Sequence, residues 1–250
     1  MRRKCLSHYI TTLKERRSFT LKPNLIAVFL AVALLCAPVL PGGPITHAGA
    51  AQPSMSAVDV LIDVGHGGID GGTSYGDLLE KDINLAVGKK LYDRLRQTGL
   101  CIALNRTHDY APSDDNDWLK SRSRHLRDLA QRKLLIDVLQ PKLTVSLHTN
   151  WSKHKAARGP GFLYQSAMPS YIAAHLLANR LNGLYGTNTA PYVGKTFYLL
   201  KRTNSPTVIV EMGYISNGSD RNMLTSPEGQ KQITEAIASA ILDYLIVYDF

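Results

Sequence analysis

The chain has 250 residues, 44% of them apolar, with a formal charge of +9 and three cysteines, which suits one sizeable core and hardly two. The charge is local: residues 1–50 carry seven Lys or Arg against Glu15, a balance of +6 that leaves +3 for residues 51–250. The remainder has no basic cluster interleaved with aromatics, so the composition argues against a nucleic-acid partner.

In chain order, the first segment pairs that basic start with an apolar run from Leu25 to Leu40 and the small-residue stretch Ala48-Gly49-Ala50. This pattern predicts a secretory signal peptide over residues 1–50, cleaved near Ala50. The run is 16 residues long and interrupted by Pro38, short for a membrane span of about 20, although an uncleaved anchor is the alternative. Leu35 precedes Cys36 where a lipidation site wants a small residue, so Cys36 reads as an ordinary member of the run. Residues 51–57 are predicted as a linker and 58–250 as the single domain. Contact with a membrane is expected only through the leader. Cys5 and Cys36 fall in that leader, which leaves Cys101 as the one mature cysteine, expected in a buried strand with no disulfide. Any metal site must therefore use His, Glu or Asp.

The domain is predicted to open on a strand, Val58 to Val64, ended by glycines. There His66 stands among Gly65, Gly67 and Gly68, whose missing side chains let something approach the imidazole closely. A dinucleotide fingerprint needs its glycines to open a helix, yet Gly71, Gly72 and Gly76 prolong the loop. A tight turn whose histidine bonds the backbone is the bland alternative. Apolar residues at Ile83, Val87, Leu91 and Leu95 predict a helix over 81–98, stopped by Gly99. A strand over 101–105 follows. A helix over 118–139 is predicted with Leu119, Leu126, Leu129, Leu134 and Val138 as its apolar face. Strands are predicted at 143–147, 161–165, 196–200 and 207–210, and helices at 171–184 and 228–248. Strands alternating with helices indicate an α/β fold, a three-layer sandwich with a largely parallel central sheet flanked by helices. Ligand sites in such sheets lie beyond the carboxyl ends of the strands.

His148 and Glu211 both stand at the ends of apolar strands, and Glu80 sits at the start of a helix where its charge suits the helix dipole. A buried Glu211 needs a partner, and reads as a working carboxylate. Two histidines, a carboxylate and one open position make a catalytic zinc site, and a further carboxylate can serve as base. Taken singly each signal is weak, since Glu80 also reads as a helix-start acid and His148 as a satisfied strand-end histidine. His108, His125, His154 and His175 read as residues without ligand roles, while Trp151 and Tyr164 suit either a sugar groove or packing.

At this point the chain resembles a known family, the zinc-dependent N-acetylmuramoyl-L-alanine amidases of bacterial walls, over about Val58 to Tyr248. The segments occur in order: GHGGIDGG at 65–72, LLEKD at 78–82, RTHD at 106–109, Leu119 with Arg122, SLHTN at 146–150 and VEMGYISN at 210–217. The resemblance implies that His66, Glu80 and His148 bind Zn2+ and that Glu211 is the catalytic base. It also implies a substrate: the amide joining the lactyl group of muramic acid to L-alanine in peptidoglycan, glycan strand and stem peptide both. Val64 stands where the family usually has proline and Tyr214 where it has phenylalanine, and the stretch from Leu119 to His148 is longer than usual. The compact form with LLEKD most resembles the sporulation-type members, which act on spore cortex. The resemblance places the mature protein outside the cytoplasm and names no protein partner.

Two other readings compete. A catalytically silent wall-binding module usually lacks at least one of the four residues, and none is missing here. A zinc deacetylase or carboxypeptidase acting on the same polymer shares the metal chemistry and cuts another bond.

Overall fold

The computed structural model describes residues 58–248; the leader and linker expected from the sequence lie outside the described residues. Strands β1 (Val60–Val64), β2 (Ser74–Tyr75), β3 (Leu78–Leu79), β4 (Ile102–Leu104), β5 (Leu143–Asn150), β6 (Gly161–Tyr164), β7 (Tyr192–Val193) and β8 (Thr207–Tyr214) alternate with helices. The helices are α1 (Glu80–Arg96), α2 (Arg124–Leu139), α3 (Met168–Tyr185), α4 (Tyr198–Arg202), α5 (Gly218–Thr225) and α6 (Pro227–Tyr248). Six strands form one sheet in the order β4-β1-β5-β8-β6-β7, and β2 with β3 forms a small hairpin. Pairing is parallel from β4 through β8 and between β6 and β7, while β6 runs antiparallel to β8. This is the expected α/β architecture.

Because side chains alternate along a strand, β1 serves two layers at once. Val60, Ile62 and Val64 join the large core with Val87 and Leu91 of α1, Leu177 of α3 and Ile237 of α6. Leu61 faces the other way, onto Ile136 of α2 and Leu199 of α4. Each such buried aliphatic side chain contributes about 1.5–3 kcal/mol, so the thick α1/α3/α6 layer carries most of the stability. The thin α2/α4 layer leaves room over the sheet for chemistry.

Several expectations are corrected. The helix predicted over 118–139 starts only at Arg124, because Ser123 caps it by accepting from Leu126 N at 3.2 Å. Its expected apolar face is also wrong: Leu126, Leu134 and Val138 are exposed, while Asp128, Ala130, Arg132 and Ile136 are buried. Pairing of the two charged residues with each other and with the sheet makes that orientation possible. The strand predicted over 196–200 is helix α4, since Tyr192–Val193 already takes the sheet edge and a turn closed by Phe197 N to Gly194 O lifts the chain off it. Helix α5, capped by Asn217 Oδ1, and the β2–β3 hairpin had no expectation. Cys101 lies half-buried just before β4, not in a buried strand as expected.

Candidate metal centre

Three parallel strands carry the site in register. Asp63 of β1 is level with Ser146 of β5, which is level with Ile209 of β8, and further along β5 and β8 His148 pairs with Glu211. Both residues lie inside their strands, which run on to Asn150 and Tyr214, rather than at the ends predicted from the apolar runs. A register irregularity between His148 and Asn150 turns the backbone of Thr149, whose N–H donates to Glu80 Oε1 at 3.0 Å.

Beyond β1 the chain passes so close to β5 that a Cβ on Gly65 would sit 2.5 Å from His148 Cε1. His66 itself adopts φ 58°, a left-handed conformation uncommon for a residue with a side chain. Its imidazole thereby meets Glu80, the first residue of α1. His66 Nε2 and His148 Nδ1 lie 3.2 and 3.0 Å from Glu80 Oε1, and the two rings stand edge to face with centroids 5.1 Å apart. Glu80 is buried, and its other oxygen accepts from Thr73 N at 2.8 Å. Gly72 (φ 68°) is needed beside it, since a Cβ there would fall 2.5 Å from Glu80 Oε2.

One ligand atom each from His66, Glu80 and His148 lies within 4.8 Å of the others, and this is the cluster of that kind among the described residues. Two imidazole nitrogens and a carboxylate oxygen can hold a divalent transition metal. The outer contacts suit metal binding as well, since His66 Nδ1 lies 3.1 Å from Asp70 Oδ2, which fixes the ring nitrogen that is free to face inward. Sequence reasoning missed Asp70, although its position four residues after His66 in the same glycine loop was a usable signal.

The electrostatics differ between the two carboxylates. Burial alone raises the Glu80 carboxyl, but the hydrogen bonds and charge of His148 and His66 outweigh it and hold the group well below the ordinary range. The Glu211 carboxyl is pushed up, chiefly by burial and with Glu80 adding, against the pull of the imidazoles. Of the two carboxylates it is the one that takes up a proton more readily. Glu211 and His148 open on a cavity of about 400 Å³ walled by Phe197, Leu199 and Ile209. Gly161 lies opposite Glu211 on β6, where a Cβ would come within 3.3 Å of Glu211 Cβ.

Asp63 and Arg132 border the same cavity and belong to a buried polar set that the sequence did not disclose. Asp63 accepts from Ser146 Oγ at 2.6 Å, Asn105 Nδ2 at 2.6 Å and Arg132 Nη1 at 2.7 Å. Arg106 donates to the carbonyls of Gly65 and Lys81 at 3.1 and 2.7 Å, tying the His66 loop to the start of α1. Burial and the nearby Arg132 charge lower its guanidinium to about 10. Of the remaining histidines, His125 borders the cavity, His108 and His154 are exposed, and His175 packs against Tyr171. Trp151 is exposed just past β5, and Tyr164 packs edge to face on Tyr171.

A family profile described as N-acetylmuramoyl-L-alanine amidase matches residues 60–243. The germination-specific N-acetylmuramoyl-L-alanine amidase of Bacillus subtilis is 30% identical over 198 residues, covering 76% of this chain and 81% of that protein. The CwlD amidase of Clostridioides difficile, solved in complex with the GerS lipoprotein, superposes with a TM-score of 0.70 at 29% identity, over 76% of this chain and 98% of that one. The catalytic domain of CwlV, an N-acetylmuramoyl-L-alanine amidase from Bacillus (Paenibacillus) polymyxa, gives 0.64 at 29%, over 75% and 98%. Matching profile, relatives and fold together, the chain belongs to the N-acetylmuramoyl-L-alanine amidase family.

Proposed function

We propose that this amidase works with a single zinc ion held by His66, Glu80 and His148, with Glu211 as its catalytic base. The observation that carries the reading is the convergence of His66 Nε2, Glu80 Oε1 and His148 Nδ1 beside Glu211, on the strand paired with that of His148. Zinc held by these residues would supply Lewis-acid chemistry, making a water easier to deprotonate and the scissile carbonyl more open to attack. Glu211, its carboxyl raised by burial, takes the proton of the attacking water and returns it to the departing amine of L-alanine. Phe197, Leu199 and Ile209 keep the cavity wall apolar and limit competing water, while Asp70 and the Glu80 donors hold the ligands in orientation.

The substrate on this reading is peptidoglycan, cut between the lactyl group and L-alanine. Similarity to a germination-specific relative favours spore cortex as its form. The basic, apolar and small-residue pattern of residues 1–50 supports export and cleavage near Ala50, with residues 51–57 a linker and action outside the cytoplasm.

Purified variants test the assignment. Replacing His66 or His148 with alanine is expected to remove zinc and activity together. Glu211→Gln is expected to keep zinc and lower turnover by about two to four orders of magnitude. Full zinc in both histidine variants, or zinc lost with Glu211→Gln, contradicts the division of roles.

A further inference from the structure

The strained backbone of His66 needs something to hold it, and the holder is a residue of α2. Arg132 is buried, and its guanidinium makes four close contacts: Nε to Asp128 Oδ2 at 2.6 Å, Nη1 to Asp63 Oδ1 and to the carbonyl of Val64, both at 2.7 Å, and Nη2 to the carbonyl of His66 at 2.9 Å. Asp128, one helical turn back, locks the plane of the fork. Asp63 locks its depth against the sheet. The remaining donors then reach the carbonyls on either side of the segment that carries the imidazole.

A left-handed residue with a side chain is strained and persists only where its surroundings fix it. At φ 58° the imidazole of His66 points at Glu80; relaxation to negative φ would turn the ring away from Glu80 and His148. Arg106 holds the carbonyls of Val64 and Gly65 from the other side, but the donor to the carbonyl of His66 is Arg132. We propose that Arg132 is a positioning residue for the metal centre: a planar fork from α2 that clamps the carbonyls of Val64 and His66 and so presets the His66 imidazole for zinc. The inference rests on the zinc reading above. It assigns a function to a helix whose exposed apolar residues suggested a different inner face.

Lysine at this position keeps the charge opposite Asp63 but has one terminal nitrogen instead of a fork, so it cannot serve Asp63 and both carbonyls together. Zinc affinity, read by chelator competition, is expected to fall about ten- to hundredfold in Arg132→Lys, the usual effect of losing an outer partner of a ligand. The absorption band of the cobalt-substituted protein should change with it. Ile136→Val, in the core of the same helix, serves as the control for a purely structural effect: it should lower stability and leave zinc affinity unchanged. If Arg132→Lys does not fold, Asp63→Asn/Asp128→Asn/Arg132→Met removes the three buried charges together and is expected to show the same loss of affinity. Zinc affinity within about twofold of the parent in the folded variant, or an equal loss in Ile136→Val, overturns the clamp. A parent protein that takes up no zinc overturns the clamp and the metal reading together, whereas a zinc-binding parent with an unaffected variant overturns the clamp alone.

Discussion

Asp63 borders the same cavity as His66 and His148, and its carboxylate is held ionised by its neighbours. Burial alone raises the group, but the charge of Arg132 and the hydrogen bonds from Ser146 and Arg132 outweigh this and set it below the ordinary aspartate value. A carboxyl depressed in the folded state contributes stability that is complete above its unfolded value and is lost as pH falls through the folded one. Asp63→Asn is therefore expected to cost about 3 kcal/mol at neutral pH, where Arg132 loses a buried partner. The gap to the parent protein should narrow as pH drops below about 4. Urea denaturation at the two pH values measures it, and a gap independent of pH contradicts the pairing. At this scale the residues that stand out in sequence are polar ones directly after apolar runs: His148 and Glu211 each follow a stretch rich in Val, Leu and Ile. Arg132 does not stand out. On a helix already rich in Lys, Arg and Asp, a buried arginine has the same sequence signature as a solvated one, and only the sheet behind it makes the difference.

Helix α1 illustrates what an element contributes. Its residue Gly88 packs on β1 so closely that a Cβ would fall 2.7 Å from Val64 Cγ2. That contact brings the helix start, with Glu80, up to the loop that follows β1. Gly88→Leu is expected to force the two apart at a cost of about 1–3 kcal/mol, seen as a lowered denaturation midpoint; an unchanged midpoint would mean that the packing yields freely. Elements with a strong period are legible in sequence: the pattern predicts α1 over 81–98 and it runs Glu80–Arg96, and it predicts the closing helix over 228–248 where the structure has Pro227–Tyr248. Residues 196–200 read as a strand because Thr, Phe and Tyr favour strands, a preference that gives way to burial of Leu199 and Leu200 against two separate clusters. The predicted start of α2 falls six residues early because charged, helix-permissive residues precede the cap at Ser123. Strand length is hidden too, since the apolar run stops at Leu147 while pairing with β8 continues through His148.

For the whole molecule, the described residues form one domain in which a thick helical layer stabilises the sheet and a thin one leaves the site accessible. No helix among the described residues is long and apolar enough to cross a membrane. The proposal of export through the leader predicts that protein recovered from its host begins near Ala51 and lies outside the cytoplasmic membrane, which N-terminal sequencing of fractionated cells tests. An intact chain from Met1 in the cytosol contradicts that. The bond that is cut provides the most direct test. Mass spectrometry of purified peptidoglycan digested with the zinc-loaded protein should find stem peptides beginning with a free L-alanine amine and glycan strands whose lactyl groups end in free carboxylates. Release of acetate from glycan that keeps its stems, or of single residues from the far end of the peptide, would contradict the account.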